Sequence, residues 1–132
     1  MIFLDTDTIS YFFNGNILIG KKIQQAMKED EQVCVTSINV YEVLKGLKYK
    51  ENEKILKGFQ SLFRFVEVFF FDTNAAEIAS KIYAELRKKG RPIGDADILI
   101  ASIVIKNKGI LVTNNTKHYK NIEGLIIENW LN

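Results

Sequence analysis

Carboxylate and amide side chains follow several short apolar runs of this sequence. Asp5 comes directly after the run at residues 2–4, Asp72 follows the run at 66–71, and a Thr-Asn-Asn segment at 113–115 follows the run at 110–112. If these runs are parallel strands, their carboxyl ends meet at one sheet edge, where ligands bind in such folds. Oxygen-rich clusters suit hard cations such as Mg²⁺ or Mn²⁺. The pattern therefore predicts a site at that edge that suits a hard cation.

Asp5 gives the clearest signal among these residues, because no linker separates it from the apolar run before it. A second interpretation is equally open at this stage. Aspartate is a favoured N-cap, and the segment 6–13 after it begins like a helix. From the residues alone, Asp5 is either a ligand or a helix cap.

Asp95 and Asp97 open a helix that is apolar nearly all round at residues 98–105, so this helix must be buried. Attraction to the helix macrodipole would explain one acid there. Two acids in a protein-enclosed segment repel each other, and a cation would relieve that repulsion. Asp97 shares a helix face with Ala101 and Val104, which predicts that it points inward as the primary ligand. Asp95 then takes an auxiliary place.

Glu42 carries a weaker signal. It lies about 200° around its helix from the apolar Val40, at about 100° per residue, so an ordinary solvent-facing glutamate would look the same. Asn39, three residues earlier, also resembles the first residue of a capping box.

These residues need a scaffold that brings distant segments together. Short apolar runs alternate with helical patterns, which predicts a mainly parallel sheet covered by helices on both faces, a three-layer α/β/α sandwich. The strands are predicted at 2–4, 33–35, 66–71, 110–112 and 125–127, and the helices at 6–13, 17–27, around 40–47, and at 51–64, 74–89 and 95–106. Three consecutive phenylalanines at 69–71 fall inside a predicted strand and are expected in the core.

Composition limits the alternatives. The 132 residues fit one domain spanning residues 1–132, and 47% hydrophobic residues are enough to form a core. Cys34 is the single cysteine, so it is expected to be a buried apolar residue, with no disulfide and no cysteine-based zinc site. The single histidine, His118, lies in a polar segment, where a surface role is favoured over a catalytic one. No phosphate-binding glycine motif is present.

Charge and targeting signals are modest. The net charge of +2 permits nucleic-acid binding without requiring it. The N-terminus has no signal-peptide pattern, and the longest apolar run, 98–105, is too short to span a bilayer, so a cytoplasmic protein is expected. Basic residues adjoin three of the acidic segments and suggest phosphate contacts; they are Lys45, Lys48, Lys50, Arg87, Lys88, Lys89, Arg91, Lys117 and Lys120.

Four motifs in order resemble the PIN-domain ribonucleases and, within them, the VapC toxins of toxin–antitoxin pairs. They are Leu-Asp-Thr-Asp from residue 4, Ser-Ile-Asn-Val-Tyr-Glu-Val-Leu-Lys-Gly from 37, Pro-Ile-Gly-Asp-Ala-Asp-Ile-Leu-Ile-Ala-Ser from 92, and Leu-Val-Thr-Asn-Asn-Thr-Lys-His-Tyr from 111. Any one motif is weak, whereas the ordered set covers almost the whole chain and is specific.

The resemblance implies an active site and its chemistry. Asp5, Glu42 and Asp97 would form the acidic core; Asp5 and Asp97 would hold Mg²⁺ or Mn²⁺, and Glu42 would act through water. Asp95 would add a nearby carboxylate. Asn115 stands where the family often has aspartate, which leaves open whether a second ion binds. The resemblance also implies an RNA substrate, often transfer RNA, a small antitoxin partner and a homodimer.

Two other functions remain open from the sequence. A phospho-acceptor signalling domain would use Asp72, although the acidic pair and the Lys-Pro pattern of receiver domains are missing. A non-catalytic RNA-binding module would keep the fold without the activity, although the retained Asp5, Glu42 and Asp97 argue against such a loss.

Overall fold

A computed structural model of the protein describes residues 1–131 and contains one five-stranded sheet. All four strand pairs are parallel, and the strand order is β3-β2-β1-β4-β5. The strands are β1 (Ile2–Leu4), β2 (Val33–Thr36), β3 (Glu67–Phe69), β4 (Ile110–Val112) and β5 (Ile126–Glu128). The predicted parallel sheet is confirmed. Asn132, the last residue of the predicted domain, lies outside the described residues.

Helices cover both faces of this sheet. They are α1 (Thr6–Phe13), α2 (Ile17–Lys28), α3 (Ser37–Tyr49), α4 (Glu53–Leu62), α5 (Thr73–Lys88), α6 (Asp95–Lys106) and the single turn α7 (Thr116–Tyr119). Within residues 1–131, none of these helices combines the length and the apolar character needed to cross a membrane.

Successive strand residues point to opposite faces, and this alternation creates two separate cores. Phe3, Cys34 and Leu111 pack with α5 and α6 on one face. Leu4 and Val35 pack with α1, α2 and α4 on the other. The three-layer α/β/α sandwich predicted from the sequence is therefore confirmed, and Cys34 is fully buried as expected.

The structure corrects the prediction for the phenylalanines at 69–71. β3 is an edge strand and ends at Phe69, whose ring packs edge-on against Phe3 with 5.3 Å between ring centroids. Phe70 is 71% exposed and Phe71 is exposed as well. Propensity favours aromatic residues in strands, but β3 ends before Phe70 and Phe71, so the sheet does not bury their side chains.

Asp72 does not join the other strand-end acids, so the prediction that it shares their edge is wrong. Its side chain caps α5 by accepting a hydrogen bond from the Ala75 amide (2.9 Å) and pairs with the Lys106 ammonium. Lys106 is nine residues from Asp97 along α6, so the rise of the helix places these two residues about 13 Å apart. The Lys106 hydrogen bond lowers the pKa of Asp72, which suits a capping, ion-paired side chain.

Gly109, in the loop before β4, packs closely against the sheet. A Cβ atom at this position would lie 2.6 Å from two ring atoms of the fully buried Phe3. We expect Gly109→Ala to lower the free energy of unfolding by about 2 kcal/mol, because the ring must shift within a packed core.

Urea denaturation of Gly109→Ala would measure this loss. Gly20→Ala is the matched control, since a Cβ atom at that helical glycine meets nothing within 4 Å. Alanine should stabilise α2 slightly there. Equal stability of the Gly109 variant and the wild type would contradict the packing argument.

Candidate active site

Asp5 lies at the carboxyl end of the central strand β1, and its carboxylate is only 4% exposed. It also serves as the N-cap of α1, accepting a hydrogen bond from the Thr6 amide at 2.9 Å. The Asn39 side-chain amide donates to the same oxygen at 3.1 Å, and the Thr113 hydroxyl donates to the other at 2.7 Å. The capping interpretation is thus correct, and three donors from separate segments fix this carboxylate in place.

Asn39 reaches Asp5 because of how α3 begins. Thr36 is the N-cap, and its hydroxyl accepts from the Asn39 amide while the Asn39 side chain accepts from the Thr36 backbone. The capping box predicted for Asn39 and Glu42 is therefore wrong, because the box that forms pairs Thr36 with Asn39, three residues earlier. Asn39 is its third residue rather than its cap, and this position turns its amide toward Asp5 in the buried interior.

Glu42 faces α1 rather than open solvent, which corrects the orientation expected from its helical position. The Thr6 hydroxyl donates to its Oε1 at 2.7 Å and accepts from the Asn39 amide at 3.0 Å. A continuous chain of hydrogen bonds therefore runs from Asp5 through Asn39 and Thr6 to Glu42. Periodicity could not show this. It separates the apolar from the polar face of a helix, but it does not tell whether the polar face meets solvent or a polar group of a neighbouring helix.

Asp97 lies at the start of α6, half-buried, and two residues of α7 contact it. The Tyr119 hydroxyl donates to Oδ1 at 3.1 Å, and Nδ1 of His118 lies 3.0 Å from Oδ2. His118 is largely exposed, as predicted, yet it is also a neighbour of the candidate site. Sequence reasoning missed both contacts because it did not predict the single turn α7.

The Tyr119 hydroxyl is hydrogen-bonded to Asp97 and lies near enough to Asp5 to feel its charge. This ring is fully buried and belongs to the α5–α6 core. Burial raises the pKa of the phenol well above its usual range, and the charges of both aspartates add to that effect. Tyr119 therefore stays protonated and donates its one hydroxyl proton to Asp97.

Burial also dominates the electrostatics of Asp5, whose pKa rises from 3.8 to about 6. The neighbouring charges of Asp7 and Asp97 raise it further, while the hydrogen bonds from Thr113 and Thr6 partly oppose the rise. Three acids thus influence one another electrostatically at this edge. A positive charge among them would remove the repulsion and favour ionised Asp5.

Two further candidates, Asn115 and Asp95, and the additional acid Asp7 lie at the rim of the site. Asp7 accepts hydrogen bonds from the Thr8 and Asn114 amides at 2.7 and 2.9 Å. Asn115 is exposed, and its backbone amide donates to the Thr113 hydroxyl at 3.0 Å, so it supports the residue that holds Asp5. Asp95 is exposed, and within residues 1–131 its side chain makes no hydrogen bond to the Asp5 or Asp97 carboxylate.

The oxygen donors of this edge fit a hard divalent cation held by few protein ligands. In the part of the chain that the structure describes, no three acidic, histidine or cysteine side chains come close enough to hold an ion by themselves. Asp97 lies near enough to Asp5 for its charge to raise the Asp5 pKa, and the Thr6 hydroxyl links Glu42 to the hydrogen bonds around Asp5. Mg²⁺ typically takes one or two carboxylates and keeps several waters, so this arrangement suits it.

The chain is similar to known proteins along most of its length. The model of the PIN domain family matches residues 2–124. A tRNA(fMet)-specific endonuclease VapC from Salmonella typhimurium is 35% identical over 103 residues, which cover 75% of this chain and 76% of that protein. Ribonuclease VapC2 from Rickettsia felis is 32% identical over 131 residues, or 96% of each chain.

Solved structures agree with the sequence relatives. The crystal structure of VapBC2 from Rickettsia felis bound to a DNA fragment from their promoter has a chain that superposes with a TM-score of 0.91. The two are 30% identical, and the match covers 98% of this chain and 99% of the other. DNA-bound VapBC from Salmonella typhimurium gives a TM-score of 0.88 at 30% identity, covering 98% and 97%.

Proposed function

This chain belongs to the PIN-domain family, and from that membership we propose that it is a metal-dependent endoribonuclease, the toxin of a toxin–antitoxin pair. The observation that carries the proposal is the paired arrangement of Asp5 and Asp97. Asp5 is buried, held by three hydrogen-bond donors and destabilised as an anion, while Asp97 adds a second carboxylate nearby that accepts from the Tyr119 hydroxyl. A bound cation would supply the positive charge that makes this arrangement favourable.

Asp5 and Asp97 are the residues we propose as ligands of Mg²⁺ or Mn²⁺. When bound, the ion supplies positive charge that activates water and offsets charge developing on the phosphate. Thr113 and Asn39 keep the Asp5 oxygens pointing to the edge, which reduces the cost of organising the site. Asp95 would contribute negative charge at a distance, and Asn115 an uncharged amide.

Glu42 is proposed to orient the attacking water and accept its proton. The Thr6 hydroxyl occupies Oε1 and fixes the carboxylate, and Oε2 has no partner within residues 1–131. A carboxylate held at one oxygen can accept a hydrogen bond at the other, as a general base requires. The water oxygen would then attack phosphorus, the bond from phosphorus to the leaving ribose oxygen would break, and that oxygen would take up a proton from solvent.

The proposed substrate is structured RNA, with transfer RNA as the first class to test. The name of the Salmonella relative supports this choice, since that protein is a tRNA(fMet)-specific endonuclease. RNA loops offer an accessible backbone and unstacked bases. In RNA helices, by contrast, side chains cannot read the deep, narrow major groove. The exposed lysines and arginines near the acidic segments supply charge for phosphate contacts.

The proposed partners are a small antitoxin and a second copy of this chain. VapBC complexes among the similar structures support the antitoxin, and the resemblance to toxins of this kind supports the homodimer. The proposed place of action is the cytoplasm, where transfer RNA lies.

Incubating the purified protein with total transfer RNA and sequencing the new RNA ends would test this proposal. We expect discrete cleavage sites that require Mn²⁺ or Mg²⁺ and disappear with EDTA. Cleavage that is insensitive to EDTA would contradict the metal requirement. Intact RNA after prolonged incubation with a folded, Mn²⁺-binding protein would contradict the nuclease function.

A further inference from the structure

A cleft of about 180 Å³ opens directly beside the candidate site, between α1, α3 and α4. Thr6 and Glu42 form part of its wall, and both belong to the hydrogen-bond chain that leads to Asp5. We call this space the Glu42 cleft. Anything bound in it would lie against the carboxylate proposed to orient the attacking water.

The deeper wall of the Glu42 cleft is apolar and includes an aromatic ring. Ile9, Val43 and Leu47 line it together with Phe13. The Phe13 ring is fixed by edge-on contacts with Phe12 and Phe59, at centroid distances of 5.1 and 5.9 Å. A rigid aromatic side chain against an apolar wall is the kind of surface on which unpaired bases stack.

The rim of the cleft is polar. Asn52 lines it and uses its carbonyl oxygen to cap α4, accepting from the Ile55 amide at 3.2 Å, which leaves its NH₂ group as a donor. Ser10 and Lys50 also line the rim, and Lys50 takes part in no ion pair within residues 1–131. These groups can donate to the edge of a base and to an adjacent phosphate.

The size of the cleft limits its occupant. Sites for drug-sized ligands occupy about 300–1,000 Å³, whereas this cleft has a volume of about 180 Å³. One planar ring system fits, and a folded segment does not. An apolar wall, a donor rim and a free ammonium together match a nucleoside and its phosphate better than a purely apolar side chain.

We propose that the Glu42 cleft binds the base of one unpaired nucleotide next to the phosphodiester bond that is cut. The inference rests on the proposed nuclease function and gives it a specificity-determining subsite. The base enters between α1 and α3 against Phe13, and Lys50 contacts the phosphate on the far side of that nucleotide. Base insertion positions the chain with its scissile phosphate beside Asp5 and Asp97.

Gly46 allows the cleft to be filled without altering any polar residue. It lines the cleft on α3, and a Cβ atom there meets nothing within 4 Å. In Gly46→Leu the side chain would extend back over the preceding helical turn into the cleft. Gly20→Leu is the matched control, because Gly20 is also helical and open but lines a separate apolar cavity of about 320 Å³ on α2.

The experiment uses an RNA oligonucleotide that spans a mapped cleavage site, and matched oligonucleotides in which one flanking nucleotide is abasic. We expect base removal at one flanking position to lower kcat/KM of the wild type and of Gly20→Leu about 10-fold or more. On the complete RNA, Gly46→Leu should lower kcat/KM by a similar factor. On the abasic RNA, the same variant should lower kcat/KM little further, because both changes remove the same contact.

Mn²⁺ binding and the melting temperature of Gly46→Leu should stay at the wild-type values. Independent, multiplying effects of Gly46→Leu and base removal would overturn the inference. So would a wild type that cleaves every abasic RNA within twofold of the complete one, a result that needs no variant to fold. Absence of any metal-dependent RNA cleavage would instead contradict the proposed nuclease function itself.

Discussion

Asp5→Asn should abolish metal-dependent RNA cleavage while the protein stays folded. The amide has no charge to attract a cation, and charge stabilisation by such an ion supplies several kcal/mol, so we expect a loss of about a thousandfold. Asparagine keeps an oxygen that can accept from the Thr6 and Asn39 amides, and the Thr113 hydroxyl can rotate to accept instead. The measurements are kcat/KM on a mapped RNA and growth after induction, which should no longer be arrested.

Asp72→Asn is the matched control for this variant. It also neutralises an aspartate that caps a helix, but one that lies at the far end of α6 and pairs with Lys106. It should cleave RNA at the wild-type rate. Asp97→Asn should behave like Asp5→Asn. Full activity in both Asp5→Asn and Asp97→Asn would rule out the proposed site.

The second large effect is on stability. Without metal, the folded protein should lose about 3 kcal/mol of unfolding free energy as the pH rises from about 4 to above 7. The pKa of Asp5 is raised from 3.8 to about 6, chiefly by burial, so the folded state holds this proton more tightly than the unfolded state. The stabilising contribution is complete below pH 3.8 and disappears as the pH passes through about 6.

Urea denaturation in EDTA at several pH values would measure this loss. Other groups titrate in the same range, and the difference between the wild type and Asp5→Asn isolates the contribution of Asp5. The variant should lack this component and become more stable relative to the wild type at neutral pH. Parallel curves for the two proteins would contradict the shifted pKa.

The effect of Mg²⁺ on the melting temperature is a second test of the ionisation of Asp5. Mg²⁺ should raise the melting temperature of the wild type more at pH 7.5 than at pH 5, because protons compete for Asp5 at the lower pH. It should have little effect on Asp5→Asn at either pH. The loss of activity and the gain in metal-free stability would then come from one buried carboxylate, as is common where function requires an unfavourable charge.

Most of the scaffold follows from the sequence. Short apolar runs and helical periodicity predict all five strands and six of the helices within residues 1–131, since burial on one or both faces dictates which residues must be apolar. The predicted bounds of β1, α1, α6 and β4 match those of the structure. Asp5 was found because a strand that ends at an acid leaves that acid at the ligand-binding edge of a parallel sheet. The acids at the start of a buried helix were conspicuous for a similar reason.

Which polar groups contact each other depends on the tertiary structure. It turned Glu42 toward Thr6, placed Asn39 against Asp5, and moved Asp72 to the opposite end of α6. It also brought Tyr119 against Asp97 and near Asp5, from a turn too short to leave a periodic signal. The physical reason is that periodicity records how much of a side chain is buried, whereas hydrogen bonds depend on distances between segments that lie far apart in the chain.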